Sequence, residues 1–419
     1  MKNKPAPFSI NQKHFFDGCF HSWFNVAEGG KRGGKNVIST VAFCAMLEDH
    51  PNKIHLIAGV SLSAAKLNIV DCDGFGMLNY FSGRCHEGKY KDRNCLYVNT
   101  RTGLKIVLIS GGGKDGDEKL IKGNTYGMAY ITEANECCPK FIQEVFDRTL
   151  SSFNRKIIHD LNPKTPLHWY YTDVLAHHEN AQKLNKNYGY NYGHFTIADN
   201  MSITNTKLSE VLQTYDKKSV WYKRDILGLR QVAKGVIYSM FDQTENVYKT
   251  APVGALYSST RTISIDYGTT NPCVFLDVYD DGEIIRVDRE YTWDSRKELR
   301  QKTDEEYAND FIEFMGDEHC VAIVDPSAAS FIAALKSRGV YVTGADNDVV
   351  DGIRKTASLI GRRIIQVNER CAGTLDSIAT YSWDDKAASV GVEKPIKLND
   401  HHTDALRYYV NSLPDWRID

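Results

Sequence analysis

The chain has 419 residues, of which 42% are hydrophobic and 25% charged, and its 51 basic and 53 acidic residues leave a formal net charge of −2. That balance excludes a disordered chain and wholesale electrostatic coating of nucleic acid, though not a local basic channel, and no apolar run approaches the roughly 20 residues of a membrane span. The length exceeds the ~250–300 residues that one hydrophobic core usually supports, so two domains are expected.

The first residues, Met1-Lys-Asn-Lys-Pro-Ala-Pro, carry positive charge with no apolar core behind it, so no secretory signal is expected and the protein is read as cytosolic. The ten cysteines are scattered without a C-x-x-C pair, adjacent only at Cys137 and Cys138, and are read as reduced core thiols. From Phe24 to about Asp160, short apolar runs alternate with helix-like segments, the signature of a parallel α/β sheet. Strands are predicted at 24–27, 54–60, 95–99, 105–110, 128–132 and 156–160. A helix is predicted over 35–47, where Val37, Ile38, Val41, Ala45 and Met46 fall at helical spacing. From 160 to about 247 the chain is richer in Tyr, Asn and His and is read as the end of the first domain, with a linker subdomain from about 185. A boundary near 250–260 divides a first domain, 1–250, from a second, 251–419. The second domain opens with strands at 262–266, 272–279 and 283–292, Asp280-Asp281-Gly282 turning between the last two, so an antiparallel meander is predicted. A buried strand at 320–324 and a helix at 328–337 follow.

Several residues in this frame carry chemistry. Gly29-Gly30-Lys31-Arg32-Gly33-Gly34-Lys35-Asn36 fits G-x-x-x-x-G-K between a predicted strand and a predicted helix. Glycines let the backbone wrap a phosphate, the helix start adds its positive end, and Lys35 adds a point charge. The next position is normally Ser or Thr on Mg²⁺; Asn36 replaces that hydroxyl with an amide. The alternative is a basic glycine-rich loop that binds no nucleotide. The strand 128–132 ends in Thr132-Glu133, where Glu133 is placed to activate water, while Thr132 stands where an acidic magnesium ligand is usual. Asn162-Pro163 closes the strand 156–160 and reads either as a γ-phosphate sensor or as an ordinary turn.

In the second domain Asp266 ends one predicted strand, Asp325 ends another, and Asp404 lies on a predicted helix whose Ala405, Leu406 and Tyr409 can pack against the sheet. Two strand carboxylates and one helix carboxylate can hold two divalent ions ~4 Å apart, and carboxylate-only ligation favours Mg²⁺ or Mn²⁺ over zinc. Their mutual repulsion is expected to raise the pKa of at least one. Asp351 and Arg354 read best as a solvated helix start.

These motifs, with His168-Trp169, the stretch from Trp221 to Gly228 and Gly235-Val-Ile-Tyr238, resemble the large-subunit terminases of tailed bacteriophages, in a Bacillus-phage and defective-prophage branch. The resemblance spans nearly the whole chain. It implies an α/β protein in which an additional-strand P-loop ATPase is followed by a ribonuclease-H-like nuclease. By it, Gly29 to Asn36 with Thr132 and Asn162 form the ATP site, Lys35 binds phosphate, Glu133 is the catalytic carboxylate, Asn162 couples hydrolysis to DNA movement, and Lys31 or Arg32 stabilises the transition state. Asp266, Asp325 and Asp404 are the implied nuclease metal ligands. His401 matches the family's D-H-x-x-D-A-x-R-Y element, with Asp400 and His402 crowding the same turn. The implied cofactors are ATP and Mg²⁺, with Mn²⁺ able to substitute in the nuclease. The implied partners are double-stranded DNA, a small terminase subunit and a portal protein, with a pentameric ring on the procapsid, a monomer in isolation, a place in the host cytoplasm and no membrane. Two rivals remain: a repair or transposition nuclease with an accessory ATPase, and a non-catalytic prophage assembly factor with a decayed motor.

Overall fold

Apolar runs bounded by glycine and polar turns become strands buried on both faces, as parallel strands flanked by helices require. The computed structural model describes residues 7–213, 215, 217, 219–252, 254–414 and 417. By their contacts these form two units, one of Met1–Leu212 and Val220–Val232, the other of Gln213–Ser219 and Ala233–Asp419. All ten cysteines are free thiols. Among the described residues no helix is long and apolar enough to cross a membrane.

The first unit is built on β1 (Phe24–Gly29), β2 (Ile54–Gly59), β3 (Cys85–Tyr90), β4 (Arg93–Thr100), β5 (Gly103–Gly111), β6 (Met128–Ile131), β7 (Lys156–Leu161) and β8 (Tyr190–Phe195), in the order β3-β4-β5-β2-β6-β7-β1-β8. From β5 to β8 all neighbours are parallel; β3 and β4 add an antiparallel edge. Because β7 lies between β1 and β6, the phosphate-loop strand and the Glu133 strand are separated by one strand, the additional-strand arrangement. One face of the sheet packs Ile38, Ala42 and Phe43 of the helix Lys35–Asp49 into a core. The other face packs Phe141, Ile142 and Val145 of the helix Pro139–Thr149. Two polar side chains buried in the central strands are hydrogen-bonded, as burial demands: Lys156 Nζ donates to the Cys19, Phe20 and Ser22 carbonyls, and Asn25 Nδ2 to Ile157 O.

The second unit holds β9 (Val247–Tyr248), β10 (Thr260–Asp266), β11 (Cys273–Asp280), β12 (Ile285–Trp293), β13 (Val321–Val324), β14 (Tyr341–Gly344) and β15 (Ile365–Asn368), ordered β14-β13-β10-β11-β12-β15-β9. β10, β11 and β12 form the expected antiparallel meander, and β13 then β14 add in parallel beside β10. This is the ribonuclease-H-like strand order, so the fold class expected from the resemblance is the one observed. Residues 233–250 go with this unit: β9 pairs in parallel with β15, and the buried Asn246 Nδ2 donates to Ile360 O at 3.1 Å and to Ile365 O at 2.9 Å. A fragment beginning at Ala233 is therefore expected to be more stable than one beginning at Pro252. The shorter piece strands two buried carbonyls, a loss of about 3 kcal/mol. Denaturant midpoints of the two fragments check this, and equal midpoints would show that 233–250 adds nothing.

Candidate functional sites

The turn from β1 into the helix Lys35–Asp49 is glycine-rich where backbone crowds it. A Cβ on Gly29 would stand 1.9 Å from the Phe195 carbonyl oxygen, and Gly34 takes φ 77° as the helix N-cap. Since glycine brings no capping side chain, the first N–H groups of the helix are left for a ligand. The Gly33 carbonyl accepts from Gln12 Nε2 at 3.3 Å, and the Arg32 carbonyl from Asn200 Nδ2 at 2.8 Å. Lys31 pairs with Asp225 at 3.6 Å.

Lys35 is only 5% exposed, so its ammonium must find acceptors inside the protein; it donates to Gly29 O at 2.9 Å, Gly30 O at 2.6 Å and Asn162 Oδ1 at 3.0 Å. Burial pulls its pKa down to about 8, against the opposing pull of Asp160, Asp225, Glu133 and Glu28. Glu133 follows β6 in a left-handed conformation, φ 51°. Burial first, then Asp160 and Glu136, push its carboxyl above the ordinary range, a shift that suits a proton acceptor. Asn36 Nδ2 donates to Thr132 Oγ1 at 3.4 Å, as does Asn68 Nδ2. Thus Lys35, Asn36, Thr132, Glu133 and Asn162, read from separate motifs, meet at one end of the sheet. Sequence reading missed Asp160, taken only as a strand end, together with Asn68 and Asp225. The last two lie in π-helical turns, Lys66–Asp71 and Tyr222–Ile226, whose wider rings re-aim side chains and leave no periodic signal.

In the second unit the parallel register Ile265↔Val324 sets Asp266 and Asp325 at adjacent strand ends. The Tyr408 hydroxyl stands 3.5 Å from Asp266 Oδ1 and 3.5 Å from Asp325 Oδ2. Asp404 lies on the helix His401–Asn411, which packs on β10 where Ser264 Oγ donates to Ala405 O at 2.6 Å. Positive groups answer these carboxylates. His401 Nδ1 is 2.7 Å from Asp266 Oδ2; Lys397 Nζ is 3.0 Å from Asp404 Oδ2 and 3.1 Å from Asp400 Oδ2; Arg407 Nη2 is 3.1 Å from Asp404 Oδ1. Burial raises the Asp266 pKa, with Asp404 adding and His401 opposing. For Asp325 burial is outweighed by Ser327, Asn347 and Tyr408, which hold it low; for His401 burial is outweighed by Asp266, which holds it high.

Among the described residues no group of three or more His, Cys, Asp or Glu side chains is spaced to hold a metal ion. Asp266, Asp325 and Asp404 share one end of the sheet without converging on one point, and Asp404 is paired with Lys397 and Arg407. No sequence motif pointed to Lys397, which acts through a contact seven residues away in the chain. A cleft of about 840 Å³ opens here, lined by Asp266, His401, Asp404 and Lys397 and by Arg296 and Lys297. Asp351 is a helix-start residue paired with Arg354 at 2.8 Å, outside that lining.

No protein-family model and no curated protein matches the chain. Among solved structures, a large terminase from a thermophilic bacteriophage superposes with a TM-score of 0.86 at 32% identity, covering 97% of this chain and 99% of that one. The large terminase of the same phage gives 0.84 at 31% identity in complex with ADP, and 0.83 at 31% in complex with ATP-γ-S, each covering 97% of this chain and 99% of that chain.

Proposed function

This chain belongs to the bacteriophage large-terminase family, the DNA-packaging subunits that carry ATPase and nuclease activity, and on that premise we propose that its first unit is an ATP-driven motor on duplex DNA and its second a divalent-metal-dependent endonuclease. The observation that carries this reading is the pair of sites in one chain, a buried lysine in a glycine loop beside Glu133 and Asn162, and adjacent strand-end carboxylates beside an Asp-bearing helix. Hydrolysis then moves DNA into a procapsid, and the nuclease cuts the concatemer.

The motor residues fit a nucleotide with its cation. Asn36 and Glu133 offer oxygen donors, the chemistry a hard cation prefers, and the bound cation would neutralise charge on the phosphates. Lys35 exchanges its backbone acceptors for phosphate oxygens, Lys31 or Arg32 approaches the transferring phosphate, and Glu133 takes the proton of the attacking water. Asn162 senses the phosphate through Lys35 and couples it to DNA movement.

In the nuclease the donor set is all carboxylate, with Lys397 paired to Asp404 in this structure. Ions held by Asp266, Asp325 and Asp404 would activate water and stabilise the leaving oxygen. His401, whose pKa Asp266 raises against burial, donates to a phosphate oxygen, and Arg296 and Lys297 hold the DNA backbone, a salt-sensitive contact. The partners proposed with this reading are a small terminase subunit and a portal, with a ring of subunits docked on the procapsid in the host cytoplasm.

ATP turnover with and without linear duplex, run beside plasmid cleavage in Mn²⁺, tests the reading. The expected result is turnover that duplex DNA stimulates and cleavage that needs Mn²⁺ but not ATP. Absence of turnover under both conditions would favour a decayed motor, and preferential cleavage of branched duplex would favour a repair nuclease.

A further inference from the structure

The two departures in the phosphate-loop motifs, Asn36 and Thr132, are hydrogen-bonded to each other, and a third residue completes them. Ile131 of β6 pairs with His159 of β7, so Thr132 and Asp160 come next across the two strands. Asp160 is 1% exposed, and each of its oxygens is engaged: Oδ1 accepts from Thr132 Oγ1 at 3.3 Å and from the Glu133 N–H at 3.1 Å, and Oδ2 from the Tyr130 hydroxyl at 2.6 Å.

A carboxylate only accepts hydrogen bonds, so the Thr132 hydrogen is committed to Asp160 and its lone pairs face Asn36 and Asn68. Both amides must therefore present their nitrogens to Thr132. For Asn36 this leaves Oδ1 as the end turned away from Thr132. At the same time the bond to the Glu133 N–H pins the left-handed turn from which the Glu133 carboxyl projects. The buried charge has a counterion in Lys35, which opposes the upward push of burial on the Asp160 carboxyl.

We infer that the acidic role missing at position 132 has moved one strand sideways to Asp160, a positioning residue that sets Asn36 Oδ1 toward the divalent cation of a bound nucleotide and fixes the turn carrying Glu133. This rests on the nucleotide reading of the loop. It also accounts for both departures together: a carboxylate at 132 would face Asp160 across the strands, whereas a threonine hydroxyl bridges it to the amide.

The test titrates a fluorescent ADP analogue onto the full chain in Mg²⁺ and in chelator. For wild type, Mg²⁺ is expected to tighten binding. In Asp160→Asn the ratio of the two affinities should fall about tenfold, the size of one charge-assisted hydrogen bond, because the asparagine can donate and frees both amides to turn. A purely structural role would shift both affinities alike and leave the ratio unchanged. Adding Thr132→Asp to Asp160→Asn returns a carboxylate to the strand end and should restore the ratio. Should Asp160→Asn fail to fold, Thr132→Val cuts the relay while keeping the buried charge, and carries the same expectation. Tight binding whose Mg²⁺ dependence ignores both variants overturns this inference alone. Absence of binding in wild type overturns the nucleotide reading and this inference with it.

Discussion

Replacing Lys35 with Ala is expected to lower ATP turnover by roughly 10²–10³-fold or more, the order seen when one charge-stabilising donor is removed from a transition state. The residue is buried among the Gly29, Gly30 and Asn162 oxygens, so no other cation can take its position without rebuilding the loop. Its effect on stability has the opposite sign to that of an ordinary buried side chain. Burial holds its folded pKa at about 8, below the usual lysine value, so keeping it charged destabilises the fold fully below about pH 8 and less as pH rises toward the ordinary value. Lys35→Met, which retains the methylenes and removes the charge, is therefore expected to be as inactive as the alanine variant while melting no lower than wild type at pH 7. A steady-state ATPase assay and a thermal melt check both halves. An active or unfolded Lys35→Met would remove the lysine from the proposed role.

Asp266→Asn and Asp404→Asn are each expected to lower Mn²⁺-dependent cleavage by about 100-fold or more, since even the outer partners of metal ligands are commonly worth 10–100-fold. Their stabilities should diverge. Asp404 is the carboxylate partner of Arg407, whose side chain is 3% exposed, and leaving that cation unpaired is expected to destabilise by on the order of 3 kcal/mol. Asp266 is held above the ordinary carboxylate pKa, chiefly by burial, so it costs the fold nothing while protonated in acid and destabilises it as pH rises and the buried carboxyl ionises. Asp266→Asn is thus expected to melt at or above wild type at neutral pH, with the advantage vanishing in acid. The carboxylate repulsion expected from the sequence is answered at Asp404 by Lys397 and Arg407, which is why the two variants differ. Equal shifts in both would contradict this assignment of the charges.

Local rules made much of this legible. A strand, glycine turn and helix that follow one another in sequence announce a phosphate loop, and Lys35 and Asn36 fall where that local pattern puts them. The antiparallel meander was legible for the same reason, because β10, β11 and β12 are consecutive and joined by short turns. What failed to show was lateral. Asp160 matters through its neighbour across two strands, and strand order is not written at position 160. β8 escaped because Tyr190–Phe195 is an edge strand whose aromatic residues are interrupted by Asn191 and Gly193, residues that strands disfavour. β3 escaped because its hairpin turns through Lys91 and Asp92, both at positive φ, where a glycine would have been the signal. Position 250 looked like a boundary because Ala251-Pro-Val-Gly breaks the pattern, yet the two residues of β9 pair with β15, far along the chain.

The proposed function requires one chain to carry two separable chemistries, a nucleotide-driven one at Lys35 and a metal-driven one at Asp266. The most direct measurement is ATP turnover and Mn²⁺-dependent plasmid cleavage, assayed in parallel on wild type, Lys35→Ala and Asp266→Asn. Lys35→Ala is expected to lose turnover and keep cleavage, and Asp266→Asn to lose cleavage and keep turnover. Loss of both activities together in either folded variant would contradict the separation.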